Sequence, residues 1–348
     1  MSPEDRLLFA CARPDFSAAR RSRVLAACTA GPLDWDALAA TAERHGVAPL
    51  VWEHLRLCGT GELGLPERAA ERFEACRRDA EEDKERAARK IAAALSGFAA
   101  LGIDVMLLKG AALDLLVYDR PWTRSRDVDM ILRCQRGTPL FERSRDLVRT
   151  FYPLGLECDY FGHHDMDMSG ALRIDFAGIW QRVRPIDARG QKAYVMSAED
   201  LLLSLCINAC RKRYFRLKTL CDIAESAARL PDLSWDALIQ RTREARCEGI
   251  VYTALLAARE TVGCDWPDSP LESLGVAPAR AAALRLLVSS FLRRGTLASL
   301  YSEPARAGGR RFGGDLFLPY ASFRGDQVLR SIWRALRPAY PRRRARPA

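Results

Sequence analysis

The sequence predicts an α+β fold: a small mixed-sheet core at residues 101–195 between helical regions at 1–100 and 196–336, with a basic tail at 337–348. Three observations predict it. Ala, Leu, Arg and Glu dominate the first hundred residues and β-branched residues are rare there, a composition that favours helix. The texture changes at Gly102, after which short apolar runs rich in strand formers alternate with helical stretches. From Ser197 the long helix-type apolar runs return.

Each element has a local reason. Asp34 is placed to cap a helix that opens at Pro32–Asp36, because its carboxylate can accept an orphan first-turn N–H. Residues 59–66, bounded by Gly59 and Pro66, read as a linker before a long helix from Glu67 to about Leu101. The charged middle of that helix, Arg77–Arg89, reads as a solvated face. Ile103–Lys109 is a strand, Gly110 a turn, Ala111–Tyr118 a helix, and Asp119–Arg126 a loop broken by Pro121. Asp127–Arg133 alternates as a strand with one charged face, and Thr138–Phe151 is helical. Leu154–Met168 holds two weak strand-like pieces, and Ala171–Ala177 alternates again. Ser197 and Asp200 have the offset of a capping box before the apolar body Leu201–Asn208. Helices follow at Leu217–Leu230, within Trp235–Thr261 and at Ala277–Tyr301, before a Gly- and Arg-rich loop at Glu303–Gly314.

Composition narrows the function classes. A chain of 348 residues with 49% hydrophobic and 28% charged residues has the balance of a globular protein. No apolar run approaches the ~18–20 residues of a membrane span, and the first residues lack the pattern of a signal peptide, so a cytoplasmic location is expected. The net charge of +10 invites a nucleic-acid partner. Only six of the 54 basic residues are Lys, however, and four of the surplus charges lie in the last seven residues. The charge therefore reflects Arg-rich composition and a basic tail, and nucleic-acid binding is not expected. Eleven cysteines without a C-x-x-C pair, and four His without metal spacing, read as buried reduced thiols rather than a zinc site.

The chemistry concentrates around Asp127. In a strand Asp127 and Asp129 project from one face, and two like charges there call for a cation. Oxygen ligands at this spacing suit Mg²⁺ shared with water and phosphates. Upstream, Lys109 and Gly110 form a strand-to-helix turn where phosphate can approach backbone N–H groups. Asp175, on a neighbouring strand, is the candidate third carboxylate of a two-metal site and the candidate base. The implied reaction is in-line attack on the α-phosphate of a nucleoside triphosphate (NTP). His163, His164 and Asp165 read as a loop at the mouth of the site. The basic run Arg211–Arg216, interleaved with Tyr214 and Phe215, reads as a solvated helix end, with an anion site as the sharper alternative.

These residues resemble the nucleotidyltransferase superfamily that includes DNA polymerase β and the aminoglycoside nucleotidyltransferases. They are more similar still to a bacterial family of uncharacterised nucleotidyltransferases. The resemblance is carried by Leu108, Lys109 and Gly110, Tyr118, Arg124 to Arg126, and Asp127 and Asp129. It extends outward to Ala42–Leu50, and to Glu199–Leu203 with Arg216–Ala224, covering about residues 30–230. It implies a transferase that moves a nucleotidyl group from an NTP, ATP being the expected donor, to an unknown acceptor (small molecule, peptide or protein). It further implies Mg²⁺ on Asp127, Asp129 and Asp175, and the nucleotide on Lys109, Gly110, Arg124, Ser125 and Arg126. The alternative is a non-catalytic regulatory or antitoxin-like binding module on the same fold. The chain departs from the usual pattern at the Lys109 turn, at Ala177 and at Asn208, the last two standing where relatives often carry His.

Overall fold

The computed structural model describes residues 1–123, 127–135, 137–160, 166, 168, 171–214, 216–264, 266–294, 321–324 and 327. The calls on Arg124, Ser125, Arg126, His163, His164, Asp165 and the basic tail lie outside the described residues. The N-terminal helices are α1 (Pro3–Cys11), α2 (Ala18–Thr29), α3 (Trp35–His45), α4 (Ala48–Cys58) and α5 (Glu67–Ala100). The core follows as β1 (Val105–Leu107), α6 (Lys109–Leu116), β2 (Val128–Leu132), α7 (Pro139–Phe151), β3 (Leu156–Tyr160), α8 (Phe176–Gln181), β4 (Arg184–Asp187) and β5 (Lys192–Val195). The C-terminal helices are α9 (Ala198–Arg211), α10 (Leu217–Arg229), α11 (Trp235–Glu244), α12 (Glu248–Val262), α13 (Ser269–Ser273) and α14 (Pro278–Arg294). Asp34 and Ser197 cap α3 and α9 through their side chains as the sequence predicts. Among the described residues no helix is long and apolar enough to cross a membrane.

The sheet order is β3-β2-β1-β5-β4. β1 runs antiparallel to β2 and parallel to β5, so the sheet is mixed. β1 is central, and Val105, Met106 and Leu107 are all buried, which is why that segment reads as an unbroken apolar run rather than an alternating one. The Leu107 end of β1 lies beside Met130 of β2 and Val195 of β5. That edge of the sheet carries the turn into α6, the start of β2 and the entry to α9.

The predicted strand at 171–177 is not formed. Asp175 is the N-cap of α8, its carboxylate accepting from the Gly178 N–H at 2.9 Å. A Cβ at Gly178 would come within 2.1 Å of Asp175 Oδ2, so glycine makes this tight cap possible. The alternation of exposed Arg173 and Asp175 with half-buried Ile174 and Phe176 mimics a strand pattern. In place of two weak pieces at 154–168, the described residues give one strand, β3, and the β4–β5 hairpin completes the sheet.

The two helical flanks pack directly on each other. Glu225 of α10 accepts from Arg13 Nε at 2.7 Å and from Arg229 Nε at 2.8 Å. The Arg20 guanidinium reaches the Val262 carbonyl at the end of α12, and the Cys221 thiol reaches the Ala12 carbonyl. The 34-residue α5 ties the N-terminal helices to the core. Its start meets α4 through Trp52 and Phe73, stacked 6.3 Å apart, and its end meets α7 through Phe98 and Phe151.

Candidate active site

The turn between β1 and α6 is built under strain. Lys109 takes a left-handed backbone with φ of 46°, which costs an ordinary residue about 1 kcal/mol. Gly110, the residue read as the turn, is not among the left-handed glycines. The Leu108 N–H donates to the Asp129 carbonyl at 3.0 Å, stitching the turn to β2. The Lys109 ammonium donates to Asp129 Oδ1 at 2.7 Å, with the two side chains 24% and 19% exposed. No side chain caps α6, so its first-turn N–H groups retain capacity for an anion.

Asp127 stands one residue before β2 and is exposed. It forms part of the wall of two cavities. One, of about 350 Å³, lies between α5 and α6 and is lined by Ala88, Ile91, Gly110 and Leu115. The other, of about 590 Å³, lies between the α3–α4 turn, α5 and the start of α10, and is lined by Glu43, Arg72, Arg216 and Lys218. The structure thus joins Lys109 to Asp129 and brings Gly110 to the same cavity as Asp127.

Asp175 does not join them. Its carboxylate is held in the α8 cap, and it lines neither of the Asp127 cavities. Among the described residues no group of three His, Cys, Asp or Glu side chains is placed to hold a metal ion. The carboxylate in register beside Asp129 is Glu157 of β3, on a strand too weakly patterned to single out from sequence. Asp127 on the cavity wall and Asp129 two residues on, held by Lys109, still supply hard oxygen donors of the kind a divalent ion takes together with water and substrate oxygens. They do not make an all-protein cage.

In the basic run at 211–216, Arg211 and Lys212 are exposed, as a solvated helix end requires, while Arg216 is half-buried and lines the larger cavity. Arg211 lines a small gap with Lys109, Met196, Ser204 and Asn208. The Lys212 pKa is lowered by partial desolvation and by the charges of Arg216, Arg211 and Lys109, with Asp129 opposing. Arg213 and Tyr214 are both left-handed, with φ of 60° and 65°. The Tyr214 ring is fully buried, and its hydroxyl donates to Ser322 Oγ at 2.8 Å, an anchor that holds the strained turn. Phe215 lies outside the described residues.

Two buried contacts explain the outlying sequence signatures. His45 Nδ1 accepts the Leu217 N–H at 3.2 Å, so the Ala42–Leu50 segment fixes where α10 begins. The Tyr118 hydroxyl donates to Asp222 Oδ1 at 2.9 Å, and the Lys218 ammonium donates to Oδ2 at 2.8 Å. Burial and the Asp222 charge push the Tyr118 pKa far above its ordinary value. These contacts set the wall of the larger cavity against the core.

A family model described as uncharacterised nucleotidyltransferase matches residues 31–139 and 162–263, more than half of the chain. The matched segments contain the Lys109 turn, Asp127 and Asp129 and the α9–α10 connection, while α7 beyond its first residue and β3 with Glu157 fall between them. Neither the curated proteins nor the solved structures give a match.

Proposed function

The chain belongs to the uncharacterised nucleotidyltransferase family, and on that premise we propose that it transfers a nucleotidyl group from an NTP, with ATP the expected donor, to a small-molecule, peptide or protein acceptor. Membership supports nucleotidyl transfer in general; donor, ion and acceptor are our reading. The acceptor oxygen attacks the α-phosphorus, the bond from that phosphorus to the bridging oxygen breaks, and pyrophosphate leaves. The observation that carries the reading is the Lys109–Asp129 pair set across a strained turn, with Asp127 on the shared wall of two cavities.

Asp127 and Asp129 are the residues that would hold Mg²⁺. When bound, the ion offsets negative charge on the reacting phosphate. Lys109 fixes the orientation of Asp129 and adds a positive charge at the helix start. Gly110 lets the donor approach the uncapped N–H groups of α6. Arg124, Ser125 and Arg126 complete the phosphate contacts in this reading. Asp175, committed to its cap, is given no part.

The test is label transfer from each of four α-³²P NTPs with Mg²⁺, with and without lysate as acceptor source. Label on a product, lost in Asp127→Ala/Asp129→Ala, supports the reading; neither transfer nor NTP binding sinks it. The regulatory alternative is favoured by one observation: among the described residues no third carboxylate is placed with Asp127 and Asp129 to hold a metal ion. NTP binding without transfer, whatever acceptor is supplied, decides for it.

A further inference from the structure

We propose that the smaller cavity, between α5 and α6, seats the acceptor, a small molecule whose ammonium group is received by Asp114 and whose hydroxyl is the nucleophile. The proposal rests on the nucleotidyltransferase reading and narrows its acceptor to a hydroxylated amine. Placement is the first reason. Asp127 lines both cavities, so two substrates seated one in each meet at a residue that would hold the ion. Charge sorts them. Among the described residues the larger cavity sets Arg72, Arg216 and Lys218 against three carboxylates. The smaller sets Lys84 and Arg189 against four, Glu81, Glu85, Asp114 and Asp127. A polyanionic donor is the worse match for the more acidic cavity. The larger is also the roomier, at about 590 Å³ against about 350 Å³, which leaves the smaller for the acceptor.

Asp114 itself is the second reason. Glu85 is bonded by Arg189 and Glu81 by Arg77. The half-buried Asp114 carboxylate has no such bond. Among the described residues its nearest cation is the Lys84 ammonium at 4.0 Å, outside hydrogen-bond reach, and that ammonium donates to the Tyr118 carbonyl at 3.4 Å. Burial raises the Asp114 pKa, with Lys84 and Lys218 opposing and Asp222 adding to the rise. A carboxylate in a partly desolvated place is stabilised by a cation that also donates hydrogen bonds to it. An ammonium on the ligand supplies both.

The spacing along α6 is the third. Asp114 follows Gly110 by four residues, so both lie on the face of α6 that lines the cavity, about 6 Å apart along the helix axis. Between and opposite them the wall is apolar, with Ala88 and Ile91 of α5 and Leu115 of α6, and a hydrocarbon frame packs there. The cavity thus suits a hydroxyl at the Gly110 and Asp127 end, an apolar middle, and an ammonium about one helical turn away. The hydroxyl oxygen bonds to the α-phosphorus, its proton passes to solvent, and pyrophosphate leaves with the electron pair of the broken P–O bond. The ammonium stays on Asp114 and positions the attack.

The experiment titrates the full chain, by ligand-observed NMR, with trans-4-aminocyclohexanol and with trans-cyclohexane-1,4-diol, which has the same shape without the charge. The wild type is expected to bind the amine about tenfold more tightly than the diol, the order of one charge-assisted hydrogen bond. Asp114→Asn loses that preference and binds ATP as the wild type does. Ala88→Leu, which fills the cavity from α5, loses both probes and keeps ATP. A wild type that binds neither probe, or both equally, overturns the proposal. So does a preference that survives in Asp114→Asn, or a loss of ATP binding in Ala88→Leu, which puts the donor in this cavity. Should Asp114→Asn melt early, the wild-type preference and Ala88→Leu decide. An amine preference that needs Asp114, in a chain that transfers no label from any NTP, leaves the amine site standing and removes the transferase reading. Label transfer to a lysate acceptor that Asp114→Asn leaves unchanged does the reverse.

Discussion

Two Lys–Asp pairs of nearly equal length stand in this molecule, and they do different work. Lys109–Asp129 is 2.7 Å long and lies at the open edge of the sheet, with each side chain about a fifth exposed. Lys218–Asp222 is 2.8 Å long, and its side chains are 10% and 7% exposed. The first pair joins a strained turn to a strand end, and Asp129 keeps oxygen capacity for a cation. The second is an i, i+4 pair along α10 whose aspartate is completed by the Tyr118 hydroxyl. A short ion pair alone says nothing of role. Exposure, strain and the remaining hydrogen-bond capacity separate the pair at the proposed site from a structural joint.

Substitution sharpens the comparison. Asp129→Asn is expected to cut transfer by about a thousandfold, the order that loss of ion-borne charge stabilisation carries. Its denaturation midpoint should move by no more than about 1 kcal/mol in stability. A large loss of stability would place Asp129 with the joint and break the distinction.

Asp222→Ala should show the opposite pattern. It strands a buried ammonium and a buried phenol, at a cost of about 3 kcal/mol, read by urea unfolding. NTP affinity measured well below the melting range should be nearly unchanged.

Lys109→Gly separates strain from charge. Glycine relieves the left-handed backbone by about 1 kcal/mol but gives up a similar amount of helix preference and a partly exposed ion pair. Stability should therefore shift by less than about 1 kcal/mol, while transfer falls about ten- to a hundredfold. Stability lost in step with activity would show that the pair holds the fold.

The smallest effect is on pH. His54 Nε2 lies 2.8 Å from the Arg13 carbonyl in the packed helices. Burial lowers its pKa, with the Arg13 carbonyl opposing and Arg20 adding to the fall. The folded chain thus binds fewer protons than the unfolded one between the two values. Stability is full above the ordinary histidine value of about 6.5 and is lost as pH falls through it. Unfolding measured between pH 7.5 and 5.5 should show this slope in wild type and a flatter one in His54→Gln. A slope of opposite sign would mean that His54 is charged in the fold.

Much of this was legible in the chain. The flanking helices follow from composition and caps such as Asp34 and Ser197. The Lys109 turn and the Asp127–Asp129 spacing at the start of β2 follow from order and spacing. Asp175 was misread because alternating exposure in a short loop looks the same as alternation along a strand, and the Gly178 that permits its cap carries no periodic signal. Arg211 and Lys212 are exposed, as the solvated reading of that run has it, but nothing local says that Arg211 shares a gap with Lys109, a hundred residues upstream.

The sequence by itself determined the fold class, the helical flanks and the location of the carboxylates at the start of β2, since local propensity and a period of two act over a few residues. Only the tertiary structure decided which left-handed residue carries the strain, which carboxylate is committed to a cap, and that His45 and Leu217 meet. Those depend on contacts between distant segments, whose cost and gain are settled only when the chain closes on itself.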